Sequence, residues 1–276
     1  MPSDESGLWR RILELPSVKE KIHEQGFFLS SDSFRQITSS IGKQMRMQAP
    51  GYLSKDFWSG QPPILTRQGC YVLRTGIGRF AILDEKVFPR PYLSLQTSSA
   101  IELKPEIPSS FKLVKKAFDE NAQENAALEQ MRFLGIFERI ITNLFGTSEY
   151  IVGPRSSRSS TFDVYIEKND GQRLKLCTYK GQEELDYSLW TESNALLFEA
   201  KQTNQLTGFL DLGWHKLVYP ANRFRGYDNS LFPVYFLRRQ NKVQIFVFPK
   251  IQFYESGIVL NEKPAMTPEK TYEIRL

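Results

Sequence analysis

Leu185-Asp186-Tyr187-Ser188-Leu189-Trp190, then Thr191-Glu192-Ser193-Asn194, then Ala195-Leu196-Leu197-Phe198-Glu199-Ala200-Lys201-Gln202 read as a strand, a polar turn and a second strand. The second strand opens on four apolar residues, as expected of a strand buried on both faces of a sheet. Side chains alternate along a strand, so Glu199 and Lys201 share one face while Phe198 and Ala200 share the other. Across the hairpin, Asp186 comes beside Glu199. Two carboxylates and an ammonium thus converge at the end of a buried strand, where uncompensated charge is costly. Hard oxygen ligands of this kind suit Mg²⁺, and Lys201 beside them can polarise or deprotonate an attacking water.

Working outward, Leu134, Phe137, Ile141 and Leu144 keep a helical 3-4 spacing that extends back through Leu128 and Met131, and Gly146 supplies the stop. A strand at 150–152 and a Ser-rich loop follow. A hairpin of Phe162–Ile166 and Leu174–Thr178 is turned by Asn169-Asp170-Gly171. Beyond the quoted stretch, a helical pattern at Leu206, Leu210, Trp214 and Leu217 leads to strands at Val234–Leu237 and Val243–Phe248. Toward the N-terminus, Ser30-Ser31-Asp32-Ser33 caps a helix whose buried face is Phe34, Ile37 and Ile41, with Arg35, Gln36 and Lys43 outward. Ile64-Leu65 and Tyr71-Val72-Leu73 read as strands, and Arg79–Leu83 closes a hairpin over Gly76-Ile77-Gly78.

These elements predict an α/β (α+β) protein in two parts. Residues 8–102 form a winged-helix-like DNA-recognition domain, 103–112 a Pro- and Ser-bearing linker, and 113–276 a catalytic domain with a mixed central sheet flanked by helices. A fragment starting near Ser110 is expected to keep a folded core but lose site selectivity.

The Asp186…Glu199-Ala200-Lys201 pattern, with its α-β-β-β-α-β order, resembles the PD-(D/E)xK nuclease superfamily, to which most type II restriction endonucleases belong. The resemblance covers roughly residues 115–250, without a Pro before Asp186. It implies that Asp186 and Glu199 ligate Mg²⁺, that the Ala200 carbonyl adds a ligand, and that Lys201 helps to activate water. It also implies an acid from the first core helix, for which Glu138 is the best match and Glu129 the alternative. The activity implied is site-specific hydrolysis of double-stranded DNA by a homodimer assembled on the site. A structure-specific repair or recombination nuclease and a non-catalytic DNA-binding regulator are the rival readings.

Composition agrees with a polyanion partner. Thirty-six Lys+Arg against thirty-one Asp+Glu give +5, and residues 201–250 hold eight bases against two acids. Arg155 and Arg158 in the Ser-rich loop, Gln202, Lys216 and Tyr219 after the second strand, and Arg223, Arg225, Arg238 and Arg239 are candidates for gripping DNA phosphates. Arg35, Gln36 and Lys43 are candidates for the recognition helix. Two cysteines, Cys70 and Cys177, and two histidines, His23 and His215, exclude a disulfide framework and a zinc finger. His215 reads as structural or DNA-adjacent. The absence of long apolar runs and of a secretory leader predicts a cytoplasmic protein with no membrane partner.

Overall fold

The computed structural model describes residues 4–40, 48–96, 99–105, 107, 109, 111, 124–155, 158–203, 209–240 and 242–275. Its N-terminal elements run α1 (Asp4–Glu14), α2 (Pro16–Ile22), β1 (Phe27–Ser30), α3 (Ser31–Ser40), α4 (Ala49–Leu53), α5 (Pro63–Arg67), β2 (Cys70–Gly76) and β3 (Arg79–Asp84). The three strands form an antiparallel sheet in the order β1-β3-β2. Ile64-Leu65, read as a strand, belongs to α5. Pro63 occupies its first turn, where a missing N–H costs nothing.

The alternation of β2 and β3 sends their side chains into two different cores. Val72, Phe80 and Ile82 pack with Trp9, Ile12, Phe34 and Leu53 of the helices. Tyr71, Leu73, Ala81 and Leu83 join Phe88, Tyr92, Leu93 and Leu95 against Phe162, Tyr179, Leu217 and Tyr235 of the C-terminal half. The expected boundary at 102 therefore does not separate two cores. The Leu93 and Leu95 amides bond to the Leu212 and Leu210 carbonyls at 2.8 and 3.1 Å. Residues Ile101–Glu102 form β4, an edge strand of the large sheet. Within the expected linker 103–112, Leu103 is tied to the Glu273 carbonyl at 2.9 Å, while residues 106, 108, 110 and 112 lie outside the described residues.

The large sheet has seven strands, in the order β4-β13-β11-β10-β9-β8-β5. They are β5 (Ile151–Val152), β8 (Tyr187–Trp190), β9 (Asn194–Thr203), β10 (Ser230–Arg239), β11 (Lys242–Val247), β13 (Lys270–Arg275) and β4. The β8–β9 pair is an antiparallel hairpin in which Tyr187 faces Phe198. β10 runs parallel to β9, with Val234 opposite Phe198 and Tyr235 opposite Glu199. The intervening chain crosses over through α8 (Trp214–Val218), as parallel neighbours require. Of the helical pattern expected here, Leu210 lies in a bend before α8, and Leu206 is outside the described residues.

One sheet face, with Leu196, Phe198, Ala200 and Phe236, is covered by α6 (Glu124–Phe133) and α7 (Ile136–Phe145). The single long helix expected there is broken in two by Gly135, which sits at φ +66, and the second half ends at Gly146 at φ +73. The other face, with Ala195, Leu197 and Tyr235, meets α8 and a third sheet. That sheet has the order β12-β6-β7 and is built from β6 (Arg158–Glu167), β7 (Arg173–Glu183) and β12 (Gly257–Val259). The molecule is a mixed α+β protein with mixed sheets and, among the described residues, eight α-helices. No described helix is long and apolar enough to cross a membrane.

Candidate functional site

Asp186 immediately precedes β8, and its Oδ2 accepts a 2.7 Å hydrogen bond from the Ala200 amide. This bond fixes the carboxylate at the side of β9, next to Glu199. Glu199 itself lies in the middle of β9, 4% exposed, on the strand face turned toward α8. Its Oε1 stands 2.8 Å from Lys201 Nζ and 3.7 Å from Lys216 Nζ of α8, with neither ammonium aligned to hydrogen-bond it. Lys201 Nζ donates instead to the Ala200 carbonyl at 2.9 Å. From α6, Glu124 Oε1 reaches Lys201 Nζ at 3.5 Å.

Burial and charge oppose each other here. Burial pushes the Glu199 carboxyl upward, and Asp186 adds to it, while Lys216 and Lys201 act in the other direction. Burial likewise raises Glu124, against the pull of Lys201. Burial alone would depress the Lys201 ammonium, but Glu199, Glu124 and Asp186 outweigh it and hold the group well above the ordinary lysine range. The three carboxylates thus hold Lys201 as the ammonium in this arrangement. Lys216 is raised in the same way, with Glu199 and Asp56 overcoming its desolvation.

The sequence placed the helix acid elsewhere. Glu138 on α7 instead accepts from the Tyr150 hydroxyl at 2.8 Å. Glu129 pairs with Arg132 at 2.7 Å and with Arg155. The α-helical acid that reaches Lys201 is Glu124. It lies four residues before Leu128 and seven before Met131, on the buried stripe of α6. A carboxylate continuing an apolar stripe was the legible signal. Glu138 lies on a flank of its helix and finds its partner in Tyr150.

Several expected DNA contacts have structural occupations instead. Arg155 is held by Glu129 and stacks 4.2 Å from the Tyr187 ring centroid. Lys216 is drawn to Glu199. Tyr219 is buried among Phe162, Tyr179 and His215. His215 is also buried, and desolvation lowers its pKa to about 3, so the ring is neutral. The Arg225 guanidinium donates to the Glu255 carbonyl, and Arg223 lies 4.6 Å from the Phe224 ring centroid. Arg238 donates to Gln130 Oε1 at 3.2 Å, and Arg239 is buried on Gln244. Gln202 is half-buried one residue past Lys201. On α3, Arg35 is exposed but paired with Asp32 at 3.0 Å, and Gln36 is exposed. Arg158 begins β6, and Lys43 lies outside the described residues. Replacing Arg238 and Arg239 by Ala is thus expected to lower the melting temperature while leaving the salt dependence of DNA affinity unchanged. A slope reduced by about 0.9 per arginine would show that they hold phosphates.

A second buried acid sits beside this cluster. Glu183, at the end of β7, accepts from the Tyr179 hydroxyl. Burial raises its pKa from 4.5 to about 7, with Glu199 and Glu184 adding to the effect and Arg74 and Lys216 opposing it. Its folded-state pKa exceeds the unfolded one, so its contribution is complete below pH 4.5 and lost as pH rises through 7. That loss amounts to roughly 3 kcal/mol. Glu183→Gln, which keeps an acceptor for Tyr179, is expected to raise the melting temperature by several degrees at pH 8 and to leave it unchanged at pH 4. Thermal scans across pH 4–8 measure this, and equal shifts at both ends would exclude the titration.

The fold and site define a mixed α+β protein with a carboxylate–lysine cluster at the junction of a β-hairpin and a parallel crossover. Residues 90–263 match a family described as "Domain of unknown function (DUF6997)", and the chain belongs to that family. A solved structure titled "Crystal structure of SSO0001" aligns over 55% of this chain and 69% of its own, at 11% identity and a TM-score of 0.20. No curated protein matches the chain.

Proposed function

We propose that the protein is a Mg²⁺-dependent endonuclease of double-stranded DNA, of the PD-(D/E)xK restriction-enzyme kind. The observation that carries this reading is the bond from the Ala200 amide to Asp186, which seats two carboxylates and Lys201 on adjoining strands. The order of elements supports it: helices α6 and α7, the neighbours β5, β8 and β9, the α8 crossover, then β10 parallel to β9. The hairpin β6–β7 is inserted between β5 and β8. At the N-terminus, helices and one strand followed by a hairpin, in the order β1-β3-β2, support a winged-helix-like module.

Among the described residues, no three His, Cys, Asp or Glu side chains form a metal-holding group by themselves. The donor set nevertheless fits a hard cation that keeps part of its water shell: Asp186, Glu199 and the Ala200 carbonyl oxygen. The buried Glu199 Oε1 has no hydrogen-bond partner, which leaves a lone pair for such a cation. A bound divalent cation would supply charge stabilisation at the reacting phosphate. Lys201 would present a positive charge beside that phosphate and orient the attacking water. Lys216 holds the Glu199 carboxylate from α8. Glu124 restrains Lys201 from the opposite side. A homodimer on DNA supplies one such site per strand.

The test is digestion of a phage DNA of known sequence by the full chain, with Mg²⁺ or with EDTA, followed by mapping of the ends. Discrete fragments bearing 5′-phosphates, formed only with Mg²⁺, are expected. Intact DNA across a range of duplex substrates, with correctly folded protein, would overturn the reading.

A further inference from the structure

Between the N-terminal sheet and β7 lies an open cleft of about 690 Å³, bounded by Phe28, Arg79 and Phe80 on one side and by Cys177, Thr178 and Lys180 on the other. It uses none of the side chains of the Asp186–Glu199 cluster, although Lys180 stands only six positions before Asp186. The two walls are fastened by main chain. Ile77 N donates to the Lys180 carbonyl at 2.9 Å, and a Cβ on Gly76 would stand 3.3 Å from that same oxygen. The cleft is thus a built feature of how the halves join.

Its chemistry is specific. Arg79 and Lys180 are exposed, and neither has a carboxylate partner among the described residues. Phe28 is 46% exposed, although both its neighbours in β1 lie deeper. Asp163, which accepts from the Thr178 hydroxyl, is already matched by Lys175 at 2.7 Å, so it does not cancel the two cations. Burial pushes the Cys177 thiol up to about 12, so that wall contributes no negative charge. Two unmatched cations beside a half-exposed aromatic ring, in a space of this size, suit a ligand with an anionic end and a flat π-face.

We propose that this cleft binds a single nucleotide unit, its phosphate between Arg79 and Lys180 and its base against Phe28. The unit is either an unpaired nucleotide of a DNA strand or a free nucleotide. The inference goes beyond the nuclease reading and does not depend on cleavage.

The experiment uses the full chain and two probes: a trinucleotide carrying central 2-aminopurine, followed by its quenching, and dAMP, followed by calorimetry. Parent, Phe28→Ala and Arg79→Ala/Lys180→Ala proteins are compared, with melting curves to verify that these exposed substitutions leave the fold intact. Each variant is expected to weaken probe binding roughly tenfold, with quenching lost in Phe28→Ala. Equal affinity for dAMP and trinucleotide assigns a free nucleotide, and binding of the trinucleotide alone assigns a strand. Undiminished binding in both variants, or no binding of either probe by the parent, overturns the proposal. Retained probe binding without any DNA cleavage would instead sink the nuclease reading and leave the cleft assignment standing.

Discussion

Asp186→Ala, Glu199→Ala and Lys201→Ala are each expected to lower DNA cleavage by at least roughly 10²- to 10³-fold, with duplex affinity nearly unchanged. On the proposed nuclease reading the three side chains act where charge develops at the phosphate, so their loss would fall on turnover and not on ground-state binding. The geometry adds internal controls. Glu138→Ala and Glu129→Ala should leave cleavage close to normal, because these acids are committed to Tyr150 and to Arg132 and Arg155. Glu124→Ala should act through Lys201, reducing turnover less than Lys201→Ala does. Single-turnover cleavage rates, set beside binding isotherms, measure all of these. Near-normal cleavage by Lys201→Ala would remove the cluster from the chemistry.

A fragment beginning at Ser110 is expected not to fold, contrary to what the apparent linker suggests. Tyr71, Leu73, Leu83, Phe88 and Leu93 are all at most 3% exposed and pack against the C-terminal half. Leaving that surface without partners forfeits roughly 1.5–3 kcal/mol for each large side chain. The sum rivals the 5–15 kcal/mol typical of a whole domain. The fragment also lacks the Leu93 and Leu95 backbone bonds and the β4 edge strand. Circular dichroism and proteolysis check this. A fragment with cooperative unfolding and native protease resistance would show that the C-terminal core closes by itself.

Where an element is specified by local periodicity, the sequence was enough. The hairpin of β8 and β9 follows from alternation around a polar turn, and that alternation alone puts Glu199 and Lys201 on one face. The stop at Gly146 follows from a backbone conformation that glycine adopts cheaply. The two-sided burial of β9 follows from its uninterrupted apolar run. Charge patterning was a poorer guide. Arg238 and Arg239 read as a phosphate-gripping pair, yet Arg239 turns inward to Gln244. A basic count cannot distinguish a solvated guanidinium from one buried on a neighbour.

Local pattern was thus sufficient for the β8–β9 hairpin and the convergence of Asp186, Glu199 and Lys201, because hairpin pairing is short-range. Only the tertiary structure decided which helix acid completes the cluster. Glu124 stands 62 positions before Asp186 and meets Lys201 only once α6 has packed on the sheet. The same holds for Lys216, which reaches Glu199 from α8, and for the core that β2 and β3 share with the C-terminal half. In each case the deciding contact joins residues distant in the chain, and its geometry is set by how helices and sheets stack, which no local pattern encodes.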